Sequence, residues 1–166
     1  GYVPQKGVLF SGTIDSNIRY GKPEITDEQV KEAAEVAQAT EFIDTKPEKY
    51  ESPVSQGGTN VSGGQKQRLS IARAIAKDPE IFIFDDSFSA LDFKTDSQLR
   101  KALKEYTKDA TTVIVAQRIS TILGADQIIV LDDGHMAGIG THKELMANCE
   151  VYQQIARSQL SEEELA

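Results

Sequence analysis

Two adjacent carboxylates end a short apolar run, and a glycine-rich turn lies shortly before them in the chain. The carboxylates are Asp85 and Asp86, which follow the apolar residues 81–84. Acidic side chains at the end of a buried strand are hard oxygen ligands of the kind that Mg²⁺ prefers. The turn Ser62-Gly63-Gly64-Gln65 opens a helical pattern, and a glycine-rich helix N-terminus suits a phosphate. These residues predict chemistry on a magnesium-bound nucleotide.

The glycine-rich turn also has a purely structural interpretation. Ser62 and Gln65 are spaced as a capping box worth about 1 kcal/mol, in which the glycines only turn the chain. Both interpretations can hold together, because a capped helix N-terminus still presents free N–H groups and a partial positive charge. The position of the turn just upstream of the double-acid strand favours a phosphate site.

Composition restricts the class of protein. With 166 residues, 39% of them hydrophobic, the chain can form one domain with a substantial core. The net charge of −8 and the absence of a Lys/Arg block argue against nucleic acid or an anionic membrane surface as a direct partner. The single Cys149 predicts a reducing, cytosolic setting. No apolar run reaches membrane-spanning length, so we expect a soluble domain, and the first residues suggest a fragment whose first strand begins elsewhere.

Periodicity and caps predict alternating strands and helices. Continuous apolar runs, typical of buried strands, occur at residues 81–84, 112–116 and 128–131. The last run is closed by Asp132-Asp133-Gly134 into a hairpin with residues 135–139. Helices are expected after the capping boxes at Thr26 and Thr141, from Gly64 to about Lys77, and along the stripe that begins at Leu99. The alternation indicates an α/β fold with right-handed parallel crossovers, and the acidic end from Ser161 is expected to fray.

In their order and spacing, these motifs resemble those of the ATP-binding cassette (ABC) family over essentially the whole chain. Residues 61–68 resemble the family's signature motif, residues 81–86 resemble its Walker B strand, and Ser89-Ala90-Leu91-Asp92 resembles its D-loop. Residues 3–18 are similar to the Q-loop region of exporters, residues 116–121 to the switch segment, and residues 140–145 to the closing segment. Several independent motifs in register make a chance match a poor explanation.

The resemblance implies a P-loop NTPase (RecA-like) α/β fold, with a parallel-sheet core and a helical signature subdomain. It assigns about 12–78 to the helical subdomain, 79–145 to the α/β core and 146–166 to a C-terminal helix and tail. ATP and Mg²⁺ are the implied cofactors. The family's phosphate loop, Gly-x-x-x-x-Gly-Lys-Ser/Thr, does not occur in these residues.

The resemblance also implies roles for single residues. Gln5 would reach Mg²⁺ and the attacking water and transmit motion to a membrane domain, and Asp85 would hold Mg²⁺ through water. Nucleotide binding falls to Ser62, Gly63, Gly64, Gln65, Gln5 and Asp92. Because nucleotide-binding domains of this family pair head to tail, the implied partners are a second such domain and the coupling helices of a transmembrane domain. The implied location is the cytoplasmic face of the plasma membrane.

Two of the implied catalytic positions depart from the family pattern. Asp86 stands where the family places Glu, and a carboxylate one carbon shorter is withdrawn by roughly 1.5 Å. A misplacement of about 1 Å can cost about 100-fold in rate. Gln117 stands where the family carries His, and Gln cannot become a cation or shuttle a proton at neutral pH. An Asp after a strand can also be a simple cap and a Gln at a strand end simply solvated, but in register both residues indicate a slow site.

The simplest hypothesis is therefore an asymmetric heterodimer of an exporter. Its signature motif would complete the partner's working ATP site, while Asp85, Asp86 and Gln117 would form a slow, ATP-retaining site. Three alternatives stay open: a homodimeric exporter ATPase with Asp86 as a working base, a soluble cassette ATPase of DNA repair or translation, and a non-hydrolysing regulatory half.

The missing phosphate loop gives a direct prediction. Without its lysine and backbone N–H groups, the 166-residue chain by itself should bind ATP weakly or not at all. Isothermal titration calorimetry measures this affinity, and a submicromolar dissociation constant would contradict the expectation.

Overall fold

The structure, a computed structural model, describes residues 1–161. It contains two compact units, the first comprising Gly1–Val115 and the second beginning at Ala116. Apart from Ser161, the acidic end that was expected to fray lies outside the described residues. Within residues 1–161, no helix is both long enough and apolar enough to cross a bilayer.

The first unit combines five strands with five α-helices. Its strands are β1 (Tyr2–Val3), β2 (Gly12–Thr13), β3 (Pro53–Val54), β4 (Ile81–Asp85) and β5 (Thr111–Val115). Its helices are α1 (Ile14–Ile18), α2 (Asp27–Val36), α3 (Thr40–Asp44), α4 (Gly63–Ile75) and α5 (Phe93–Tyr106), with short 3-10 turns at Lys49–Glu51 and Gln56–Gly58. The helical region and the strands that carry the acidic residues thus belong to one compact unit.

A three-stranded parallel sheet positions the acidic residues. Its order is β1-β4-β5, so the apolar strand β4 is central. The register pairs Tyr2 with Ile83 on one side of β4 and Val115 with Asp85 on the other. Asp85 therefore ends the central strand at the carboxyl edge of the sheet, where ligands of parallel α/β sheets bind.

Local capping signals correctly predicted the starts of three helices. At α2 the Thr26 hydroxyl accepts a hydrogen bond from the Gln29 N–H (3.2 Å), and the Gln29 side chain accepts one from the Thr26 N–H (2.9 Å). The same reciprocal box starts α4 at Ser62 and a later helix at Thr141. Each box satisfies N–H groups that have no partner inside the helix, which fixes where the helix begins.

The first two apolar runs, predicted to form buried strands, are each exposed on one face of the sheet. Val3, Phe82 and Phe84 are buried in the core with residues of α4 and α5. The side chains that alternate with them are between 40% and 59% exposed: Tyr2, Ile81, Ile83, Val113 and Val115. An apolar run predicts that both faces can be covered, but the helices of this unit cover only one.

The third apolar run also pairs differently from the prediction. The second unit contains α6 (Ile119–Ile122), β6 (Ile128–Asp132), β7 (His135–Gly140), α7 (His142–Asn148) and α8 (Glu150–Gln159). Among residues 1–161, strand β6 pairs only with β7, in the antiparallel hairpin that the Asp133-Gly134 turn predicts, and not with a strand of the parallel sheet. Asp133 and Gly134 both have positive φ (46° and 76°), as the tightest hairpin turns require. Apolar content alone does not identify a strand's partner.

Arg73 of α4 connects three segments of the first unit. Its Nε donates to the Asn17 carbonyl (2.8 Å), and its Nη1 donates to the Val8 carbonyl (2.8 Å). The guanidinium also lies over the rings of Phe10 and Tyr20, which stack with centroids 4.1 Å apart. Desolvation by burial lowers the pKa of Arg73, but the group keeps its charge at neutral pH.

Replacing Arg73 by Lys should destabilise the first unit by about 2–3 kcal/mol. Lysine keeps the charge but cannot reach two carbonyls and stack on two rings at once, so the acceptors on Val8 and on the buried Asn17 lose their donor. Urea unfolding of the purified chain measures the change, with the exposed Lys101→Arg on α5 as the matched cation exchange. Equal stability of Arg73→Lys and the control would show that the contacts of Arg73 contribute nothing to folding.

Candidate functional site

Asp85 lies on the open face of the parallel sheet. The Tyr2 hydroxyl of the neighbouring strand β1 donates a hydrogen bond to Asp85 Oδ2 (3.2 Å). Desolvation, followed by the hydrogen bond and charge of Asp85, raises the pKa of Tyr2, so the phenol stays protonated and can donate. The contact of Tyr2 with Asp85 follows from the strand register, which the sequence alone does not reveal.

Asp86 follows directly, and its backbone turns away from the strand direction. Its φ of 43° lies in the left-handed region, which is uncommon for residues other than glycine and concentrates at functional sites. The turn is held because the Asp86 N–H donates to the Val115 carbonyl (2.8 Å).

Gln5 and Asp86, which the sequence analysis assigned to one site, are in contact. Gln5 Nε2 donates to Asp86 Oδ2 at 3.2 Å, although 81 positions separate the two residues. The chain just before Gln5 is anchored to the same turn, since the buried Ser87 hydroxyl donates to the Val3 carbonyl (2.8 Å). The sequence motifs did not point to Ser87.

The donor set at this edge fits Mg²⁺. Asp85 offers a carboxylate and Gln5 an amide oxygen, and both are hard oxygen ligands. Among residues 1–161 no group of three or more His, Cys, Asp or Glu side chains could hold a metal ion. Mg²⁺ is commonly held by one or two carboxylates together with water and substrate phosphates, so a sparse set of protein ligands suits it better than it would suit zinc.

The glycine-rich turn forms the N-terminus of α4, as predicted. Ser62 Oγ accepts from the Gln65 N–H (3.2 Å), and Gln65 Oε1 accepts from the Ser62 N–H (3.1 Å). Ser62 and Gly63 are exposed, and a Cβ added to Gly63 would meet no atom of residues 1–161 within 4 Å. The start of this thirteen-residue helix is therefore both capped and open to an approaching anion.

The D-loop segment lies beside this turn. A Cβ added to Gly64 would lie 3.5 Å from the Ala90 carbonyl oxygen and 3.9 Å from Leu91 Cδ2. These are ordinary van der Waals distances, so the two motifs are neighbours in one unit.

Asp92 is exposed and caps helix α5. Its Oδ1 accepts from the Thr95 N–H (2.9 Å) and its Oδ2 from the Thr95 hydroxyl (2.7 Å). These hydrogen bonds lower the pKa of Asp92, so the carboxylate is ionised at neutral pH. The cap accounts for Asp92 structurally, and its role in nucleotide binding stays a prediction.

Gln117 belongs to the second unit, in the connection between β5 and α6. The residue is exposed, and its main-chain carbonyl accepts a hydrogen bond from Gln159 Nε2 (2.9 Å) on α8. Its predicted place beside the carboxylates of the first unit stays a prediction.

Comparison with known proteins identifies the family. The family model described as ABC transporter matches residues 1–89. An "uncharacterized ABC transporter ATP-binding protein" of Mycobacterium bovis is 48% identical over 162 residues, which cover 96% of this chain and 28% of that protein. A Staphylococcus aureus protein, provisionally named as a multidrug export ATP-binding/permease protein, is 47% identical over 93% of this chain and 27% of its own length.

A solved structure extends the match to three dimensions. A bacterial Atm1-family ABC exporter with ATP bound superimposes with a TM-score of 0.92 at 38% identity, over 98% of this chain and 29% of that one. The predicted α/β fold of the P-loop NTPases is thereby confirmed. The chain spans less than a third of the length of these relatives. The family match and this superposition together show that the chain belongs to the ABC transporter family and is part of an ATP-binding domain.

Proposed function

We propose that this chain is part of an ATP-binding subunit that powers an ABC exporter at the cytoplasmic face of a membrane. The names of the Staphylococcus relative and of the Atm1-family structure support export. In this proposal the chain pairs with a second nucleotide-binding domain and contacts the coupling helices of a transmembrane domain. ATP hydrolysis in the assembly drives transport.

We propose further that the pair is asymmetric. The observation that carries this proposal is a contrast within the first unit. Helix α4 begins with a complete, capped and open anion site, whereas the carboxylate at position 86 is short and already accepts a hydrogen bond from Gln5. An intact signature beside a weakened hydrolytic position supports a division of labour between two ATP sites.

At this chain's own site, residues of the sheet edge would bind and orient. Asp85 and Gln5 would hold Mg²⁺, which when bound neutralises phosphate charge. Tyr2 fixes one oxygen of Asp85 through its hydrogen bond. Asp86 would have to take a proton from water, but its Oδ2 is occupied by Gln5 Nε2 and its side chain is one carbon shorter than Glu. Slow hydrolysis and ATP retention follow.

At the partner's site, α4 would bind a phosphate of ATP and would take no part in proton transfer. The N–H groups at Gly63 and Gly64 are free of helix partners, and the helix dipole adds partial positive charge. Because Gly63 has no neighbour within 4 Å of its added Cβ, a phosphate can approach the backbone closely. Ser62 Oγ lies at the same exposed position and can donate its proton to a phosphate oxygen while it still caps the helix.

The proposal predicts that two substitutions at these sites differ sharply in effect. Ser62→Arg fills the open space at the α4 N-terminus and should abolish steady-state ATP turnover of the full-length pair. Asp86→Asn keeps the shape of an already poor base and should change turnover by less than about twofold. A phosphate-release assay on the purified assembly measures both, with the exposed Ser97→Arg on α5 as the matched serine-to-arginine control. Comparable losses from Ser62→Arg and Asp86→Asn would contradict the asymmetric pair.

The same assay separates the heterodimer from the homodimer. The full-length protein purified alone should be nearly inactive and should gain turnover only when it is co-expressed with a partner half. Robust turnover alone, abolished by Asp86→Asn, would instead make Asp86 a working base in a homodimer.

A further inference from the structure

We infer that Gln67 is a positioning residue that joins the signature helix to the segment carrying Gln5, and thereby couples the two ATP sites of the assembly. The inference rests on the proposed function, in which the α4 N-terminus serves the partner's site and Gln5 serves this chain's own site. Gln67 lies within residues 61–68, which resemble the signature motif, but it follows the glycine-rich turn and the resemblance assigned it no role.

The side-chain amide of Gln67 holds both flanks of Gln5. Gln67 Oε1 accepts a hydrogen bond from the Gly7 N–H (2.8 Å), and Gln67 Nε2 donates to the Pro4 carbonyl (3.1 Å). Both contacts span 60 or more positions. Gln67 is only 2% exposed, so each half of a buried amide is bound to backbone on one side of Gln5.

Gly7 shows how closely this segment lies against α4. A Cβ at position 7 would lie 2.7 Å from Ser70 Oγ and 3.0 Å from both Gln67 Oε1 and the Lys66 carbonyl. At these distances any side chain at position 7 would force Ser70, Gln67 or the helix backbone to shift. The backbone of the segment therefore rests directly on the side of the helix.

Packing alone does not explain a glutamine at this position. Leu69, Ile71 and Ile75 of α4 already fill the apolar core and are fully buried. A buried amide costs desolvation free energy that an apolar side chain of similar size would avoid, unless its hydrogen bonds are needed. The needed bonds here go to a segment outside any helix or strand, and that segment presents Gln5 to Asp86.

The geometry gives a short mechanical path. Gln65 of the capped turn and Gln67 lie on the same helix, and packed helices move as rigid bodies. A shift of the α4 N-terminus at one ATP site would move Pro4 and Gly7, and with them Gln5 at the other site. Coupling between sites of one assembly typically changes an equilibrium 5- to 150-fold.

The test substitutes Gln67 by Met in the full-length pair. Met has a similar length and keeps the packing, but it makes neither hydrogen bond. We expect ATP turnover to fall about 10-fold with little change in the KM for ATP, since no phosphate ligand is removed. Thr107→Val is the matched control, because it removes one buried side-chain hydrogen bond, from Thr107 Oγ1 to the Leu103 carbonyl, away from the segment.

A double-mutant cycle separates coupling from general destabilisation. If Gln67 acts through Gln5, Gln5→Ala alone should lower turnover about as much as Gln67→Met alone does. Adding Gln67→Met to Gln5→Ala should then cause no further loss of turnover. The inference would be overturned by any of three results: the losses of turnover from Gln5→Ala and Gln67→Met multiply in the double variant, Gln5→Ala keeps full turnover, or Gln67→Met turns over ATP at the wild-type rate. A wild-type pair without turnover would overturn the proposed function instead.

Two further measurements test the contact between Gln67 and Gly7. The first does not depend on turnover, and the second does not depend on the folding of Gln67→Met. Amide hydrogen exchange at Gly7 in the full-length protein should speed up in Gln67→Met and stay unchanged in Thr107→Val; equal exchange in Gln67→Met and the wild type would refute the contact. Gly7→Ala disturbs the same contact from the other side and should lower turnover about as much as Gln67→Met. Normal turnover of Gly7→Ala would overturn the inference.

Discussion

Buried backbone N–H and C=O groups need hydrogen-bond partners, and in residues 4–10 these partners are side chains. The segment forms no helix or strand. Gln67 binds the backbone at Pro4 and Gly7, and Arg73 binds it at Val8. Helix α4 is therefore both the element whose N-terminus is proposed to bind a phosphate and the support on which the segment with Gln5 rests. This double use explains why a helix that begins at an exposed glycine-rich turn carries a buried glutamine and a half-buried arginine further along.

The parts of the fold that depend on neighbouring residues could be predicted from the sequence. A capping box lies within four residues, so the boxes that begin at Thr26, Ser62 and Thr141 correctly predicted where three helices start. The Asp133-Gly134 turn was equally local. The pairing of strands is not local, and the apolar residues 128–131 gave no sign that they pair only within a hairpin.

The candidate site shows the same limit. Gln5 and Asp86 could be assigned to one site because both match motifs of a known family, and the contact between them is present. The contacts of Tyr2 with Asp85 and of Gln67 with Gly7 span 83 and 60 positions. Neither residue type is unusual at its position, so nothing short of the folded chain reveals these contacts.

The open face of the sheet bears on the chemistry at its edge. Asp85 lies on the same face as Ile83 and Val115, which are partly exposed in this chain. Any layer that covers these apolar side chains would also lower the local dielectric around the carboxylate, and electrostatic interactions strengthen there. In the proposed assembly, Mg²⁺ binding at Asp85 would then depend on how that face is covered.

The separation of β1 from β4 along the chain has a consequence for biosynthesis. Tyr2 and Val3 pair with Ile83 and Phe84, which lie 81 positions further along the chain. Contacts of such high contact order form slowly, because a long loop must close before they stabilise the chain. During vectorial synthesis the segment with Gln5 leaves the ribosome well before its binding surface on α4 and β4. The proposed nucleotide site of this unit can therefore form only after translation has passed the central strand.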